Sequence, residues 1–199
     1  MRTSDLDTVH RFWFGPLGDF QAFNADRMAL WFAGKADDEI ARRFSETLAW
    51  VEFSSIDALA LSRSQQVGLV VLLDQFPRNI FRGQPKSYAF DERARRVVDT
   101  ITAGGMDKFY LVERAFLTIC LGHSECLEDQ IRAMRHFMND IKPYAPSDNP
   151  LYRAGAVRTA QYLDIITKFG RFPHRNDILG RKTTVEEAEF LVQTQLASV

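Results

Sequence analysis

The sequence predicts an all-α fold built of helical hairpins within one domain. Three observations carry this. Apolar residues recur at the three- and four-residue spacing of a helix from one end of the chain to the other. The apolar–polar alternation of strands is scarce. Capping and breaking residues punctuate the periodic stretches.

The elements follow in order. Ser4-Asp5 starts a first helix and Gly15-Pro16 ends it. Ile40, Phe44, Leu48 and Val51 form the stripe of another. Val67, Val70, Val71 and Asp74 share a helical face. That helix should stop at Phe76, because Pro77 lacks a backbone donor and disfavours helix in the residue before it. Phe90, Ala94, Val97 and Ile101 mark the next helix, broken off at Gly104-Gly105. Phe109, Val112, Phe116 and Ile119 mark its successor, and Phe116, Cys120 and His123 carry a stripe on to its end. Ser124 suits the N-cap of a further helix with Glu125 in its first turn, and Leu127, Ile131, Met134 and Met138 supply its periodicity. KPYAPSDNP, 142–150, reads as a surface connection. Gly170 suits a left-handed cap for the helix before it, and Thr184 with Glu187 matches a capping box for the last. The total is eight or nine helices and no substantial sheet.

The composition narrows the class of function. The 199 residues suit a single all-helical domain over 1–199, and 46% hydrophobic residues with sixteen Phe can fill a core. A formal charge of −1 gives no general affinity for nucleic acid or an anionic membrane. Cys120 and Cys126 form neither a disulfide scaffold nor a CxxC pair. The polar N-terminus has no apolar signal core and no run of 18 apolar residues occurs, so a cytoplasmic chain without a membrane span is expected. No glycine-rich phosphate loop or nucleophile elbow is present, and no cofactor is expected. His123 and Glu125 lack the spacing of a helical metal pair, and His10 and His136 lie in unrelated stretches, so no metal site is expected either.

Three polar segments stand out, each at a predicted helix end and each backed by aromatics. In LLDQFPRNIFRG, 72–83, Asp74 lies on an apolar stripe and needs a cationic partner, with Arg78 four residues on. In LGHSE, 121–125, His123 should face inward. In FGRFPHRND, 169–177, Phe169 and Phe172 can anchor a turn stiffened by Pro173, which displays Arg171, His174, Arg175 and Asp177. FPRNIF at 76–81 and FPHRNDIL at 172–179 echo each other, which suggests repeated hairpins.

These segments, with the opening VHRFWFG and the tail TVEEAEFL, resemble a bacterial family filed as domain of unknown function 924. The resemblance runs from about Val9 to Leu191. It implies an all-helical, tetratricopeptide-like array of antiparallel hairpins and no established activity. The stretch Thr118 to Gly122 before His123, and Cys126 after Glu125, depart from the family's pattern.

Two functions fit these residues. In one, the three segments meet in a polar pocket for a small anionic ligand. Asp74, Arg78, Arg171, Arg175 and Asp177 bind it, and His123, Glu125 or His174 transfers any proton. In the other, the array is an interaction module that takes a peptide or protein on a concave face, and the polar turns are structural locks.

Overall fold

A computed structural model describes residues 4–194. Among them it contains nine helices and no strand: α1 (Ser4–Phe14), α2 (Arg27–Phe32), α3 (Asp37–Phe53), α4 (Arg63–Ile80), α5 (Asp91–Thr102), α6 (Leu111–Gly122), α7 (Leu127–His136), α8 (Pro150–Phe169) and α9 (Val185–Thr194). The local signals behave as their chemistry requires. Gly170 takes φ 67° and closes α8. Glu187 accepts from Thr184 N, while Thr184 Oγ1 accepts from Glu187 N. The connection over 142–150 ends with Asn149 capping α8 through Leu151 N. No described helix is long and apolar enough to cross a membrane.

Helix α4 is the hub, packed on α1, α3, α5 and α6, while α6 also packs on α7 and α8. Ile40, Phe44, Leu48 and Val51 are all buried, as are Phe90, Ala94 and Ile101. The centre is aromatic. Trp13 meets Phe76 and Phe116 edge-on, with ring centroids 5.6 and 5.7 Å away, and Phe14 and Trp31 join Phe116 at 5.3 and 4.8 Å. Such tilted contacts favour the quadrupoles of the rings. Gly68 lets α1 come this close to α4, since a Cβ there would lie 2.2 Å from the Leu6 carbonyl oxygen.

Three expectations are corrected. Helix α4 does not stop at Phe76 but runs through Pro77 to Ile80. Side chains hold that last turn: Phe76 is fully buried, Arg78 binds Asp91, and Asn79 and Arg82 both bind Asp37. Glu125 is not in the first turn of α7, whose N-cap is Cys126. Ser124 instead makes a turn, accepting from Cys126 N and donating to Asp129 Oδ2. The expected apolar stripe faces outward at Leu127 and Ile131 of α7 and at Met138 just beyond it, and the helix buries Asp129, Gln130 and Ala133. The turn explains this choice of face, because Gln130 Nε2 satisfies the carbonyls of Gly122 and Ser124.

Candidate functional site

The C-terminal ends of α4 and α6, the N-terminus of α5 and the Phe172–Arg175 turn meet at one end of this array. Asp74, 1% exposed, accepts from His123 Nδ1 at 2.9 and 3.0 Å and from Gln75 Nε2 at 2.5 Å. Arg78 Nη1 lies 3.3 Å from the same carboxylate and also donates to the Asp74 carbonyl. Burial pushes the Asp74 carboxyl up, but the His123 and Arg78 contacts outweigh it and hold the group well below the usual carboxylate range. Burial, and then the Arg78 charge, push the His123 imidazole down. An ionised carboxylate only accepts, so the proton of the neutral ring sits on Nδ1 and the lone pair on Nε2. That nitrogen makes no hydrogen bond to the described residues. Burial also drives the Cys120 thiol far up, so it stays protonated and inert.

Asp91, first residue of α5, links the two Arg-bearing turns. Arg78 grips it with both terminal nitrogens at 2.9 and 2.8 Å, so Arg78 is spent on internal partners. Arg175 Nη1 comes only to 3.8 Å. The Arg175 guanidinium is stacked on Tyr88 at 4.6 Å and on Phe172 at 4.4 Å. It is 6% exposed, yet Nε is buried without a partner and the group makes no hydrogen bond to the described residues. Burial, and then the charge of Arg78, lower its proton affinity. His174 beside it is pushed down to about 4 by burial and by the Arg175 charge, and its buried Nδ1 is also unpartnered.

The rest of FGRFPHRND is a clasp. Arg171 grips Glu187 of α9 with Nε at 2.6 Å and Nη2 at 2.9 Å, and is therefore not offered to a ligand. Asn176 Nδ2 donates to the same Glu187 at 3.1 Å, and Arg171 with the other donors holds that carboxyl at about 2. Glu125 is spent too, accepting from Phe172 N at 2.7 Å and from both terminal nitrogens of Arg181. Asp177 is exposed; its carbonyl accepts from Gly180 N, and its carboxylate makes no hydrogen bond or ion pair among the described residues. The structure thus brings Asp74, Arg78, His123, His174 and Arg175 together, with Glu125 beside them on Phe172 N and Arg181, while Arg171 is held by Glu187 and Asp177 is exposed.

The two echoing turns differ in backbone but agree in roles. The first is the last turn of α4; the second is a short 3-10 turn, Pro173–Arg175. In each, the Asn is buried and binds a distant carboxylate, Asp37 or Glu187, and the Arg heads for Asp91. Sequence reasoning missed Asp91 and Tyr88. Asp91 carried only the weak signal of an acidic first turn. It also missed a second buried set, in which Glu113, fully buried, accepts from His10 Nε2 at 2.6 Å, Arg63 Nη1 at 3.0 Å and Tyr110 N at 2.8 Å. That set pins α1 and α4 to the start of α6. Its His10 and Arg63 line a cleft of about 560 Å³ together with Arg11, while a second cleft of about 590 Å³ runs beside Pro150 and Arg158. Neither cleft includes the Arg175 cluster. Among the described residues, no three His, Cys, Asp or Glu side chains are grouped to hold a metal ion.

The chain was compared with known proteins. A family model described as a bacterial protein of unknown function (DUF924) matches residues 9–195. The comparison with curated proteins returns no match. A solved structure, that of protein of unknown function ATU0120 from Agrobacterium tumefaciens, is similar at 30% identity and a TM-score of 0.76. The similarity covers 96% of this chain and 99% of that one.

Proposed function

The chain belongs to a bacterial family of unknown function, DUF924, and from its own geometry we propose that it binds a small oxyanion against Arg175, at the shared end of α4 and α6. One observation carries this reading: a guanidinium buried between Tyr88 and Phe172 makes no hydrogen bond to the described residues. A guanidinium has five donors in a planar fork, and a buried polar group without a partner is costly. Phosphate and carboxylate match that fork in two-point fashion. The aromatic walls fix the plane of the fork before a ligand arrives, which lowers the entropic cost of binding. Arg78 and Asp91 form the adjoining wall and set the position of the fork.

The test is a thermal-shift titration with inorganic phosphate and with citrate, on the parent and on Arg175→Ala. The parent should melt higher as anion is added, following mass action, and added sodium chloride should weaken the effect. Arg175→Ala should lose the response, and its own melting point should fall only by the stacking on Tyr88 and Phe172 that it gives up, since no internal hydrogen bond is lost. A parent indifferent to both anions, alongside a variant that melts far below it, would mean that Arg175 is only a structural pin.

A further inference from the structure

We propose that His123 is the proton acceptor of this site, held in its working tautomer by Asp74, and that the bound substrate is a small organic oxyanion presenting a hydroxyl group. The inference rests on the anion site at Arg175 and adds chemistry to it.

Three facts on the molecule support it. The Asp74 carboxylate is buried and takes both its His123 contacts at Nδ1, so rotating the ring would cost a buried charge one of its three partners. Nε2, the other ring nitrogen, makes no hydrogen bond among the described residues, although the side chain keeps 14% of its exposure. Asp74 contacts both His123 and Arg78, Arg78 grips Asp91, and Asp91 lies 3.8 Å from Arg175 Nη1, so base and anion donor share one neighbourhood.

The contrast with the other histidines is informative. His10 has Nε2 occupied by Glu113 at 2.6 Å, and His136 has Nδ1 on Asp140 at 2.7 Å near the surface end of α7. His174 is neutral but lacks a carboxylate partner, and its buried Nδ1 is unpartnered. His10 also holds a buried carboxylate on one ring nitrogen, and what sets His123 apart is its place in the same cluster as the unpartnered Arg175 guanidinium.

The step is a single proton transfer. The O–H bond of the substrate hydroxyl breaks and its electron pair stays on oxygen. The proton forms a bond to Nε2, and the imidazolium so made is balanced by Asp74 on Nδ1. Asp74 touches no substrate; it positions the ring and stabilises its charged form. The charged and titratable groups that act on the ring are Asp74 and Arg78 from α4, Asp91 from α5 and His174 from the turn.

The full chain tests this in two ways. First, nitrogen-15 histidine NMR, assigned with His123→Gln, reads the tautomer and titration of His123. The proposal expects the proton on Nδ1 at pH 7, and in Asp74→Asn a lower midpoint with loss of the single tautomer. Second, carbethoxylation with diethyl pyrocarbonate, mapped by mass spectrometry, reads the free Nε2. His123 should react several-fold faster than His10, and millimolar inorganic phosphate should slow it several-fold. Arg175→Gln should abolish that protection, so that its rates with and without phosphate coincide. A proton on Nε2 in the parent, or a His123 no more reactive than His10, overturns the proposal without recourse to any variant. A reactive His123 with the expected tautomer but no phosphate protection refutes the anion site at Arg175 instead, and with it the shared site.

Discussion

Replacing Asp74 by Ala tests the centre of the cluster. The carboxylate is 1% exposed and serves His123, Gln75 and Arg78 at once. Its removal leaves the His123 Nδ1–H without an acceptor in a buried setting. It also takes one of two anionic partners from Arg78, which keeps its two bonds to Asp91. Breaking a buried ion pair from one side costs about 3–5 kcal/mol, and the surviving Asp91 contact puts this case near the lower end, about 3 kcal/mol. Unfolding entropy of about 2.1 cal/mol/K per residue, over this chain, converts that into a fall of roughly 7 °C in Tm. Asp74→Asn keeps the shape and an acceptor, and should fall less. Calorimetry or thermal circular dichroism at pH 7 measures both. An Asp74→Ala variant melting within a degree of the parent would show that the carboxylate is not the buried hub described above.

Further outcomes follow from other contacts. His174 falls from 6.5 to about 4 in the fold, so the unfolded chain binds its proton first as pH drops. Stability is then full above about pH 6.5 and declines by about 3 kcal/mol as pH falls to 4. The depressed His123 acts in the same direction. Urea midpoints at pH 7 and pH 4 should show a smaller loss in His174→Gln than in the parent, and equal losses would remove His174 from the account. Gly68→Ala drives a Cβ to 2.2 Å from the Leu6 carbonyl and should cost about 3 kcal/mol or prevent folding. Gly104→Ala meets open space and should be neutral or slightly stabilising in the same melt. Glu187→Ala should loosen α9, read as faster proteolysis near residue 184, because Arg171, Asn176 and the Thr184 amide all lose their acceptor.

The fold was legible because helical periodicity and caps are local signals. The stripe from Ile40 to Val51, the Gly170 cap and the Thr184–Glu187 box each depend on neighbours within a few residues. The Asp74–Arg78 pair was readable for the same reason, being four residues apart. Its other partner, His123, is 49 positions away, and only the fold decides that contact. The competition for Arg171, Glu125 and Arg175 could not be resolved along the chain. Glu187 and Arg181 win two of them through tertiary placement, and Arg175 is left over. Pro77 misled because a proline near a helix end is tolerated when distant side chains secure the turn. The α7 stripe misled because a polar residue, Gln130, is worth more inside than Ile131 when two buried carbonyls need it.

Ile165, Ile166 and Phe172 form a cluster of buried residues separate from the large core, with Tyr162, Phe169 and Phe190 packed around it. Cooperative units of unfolding follow such divisions. The end of α8, the Pro173 turn and α9 are therefore expected to open at lower free energy than α4 and α6, carrying Arg175 and His174 with them. Amide hydrogen exchange should be faster in residues 165–190 than in 67–76. An anion bridging Arg175 to the α4 side would couple the two units and slow the faster one.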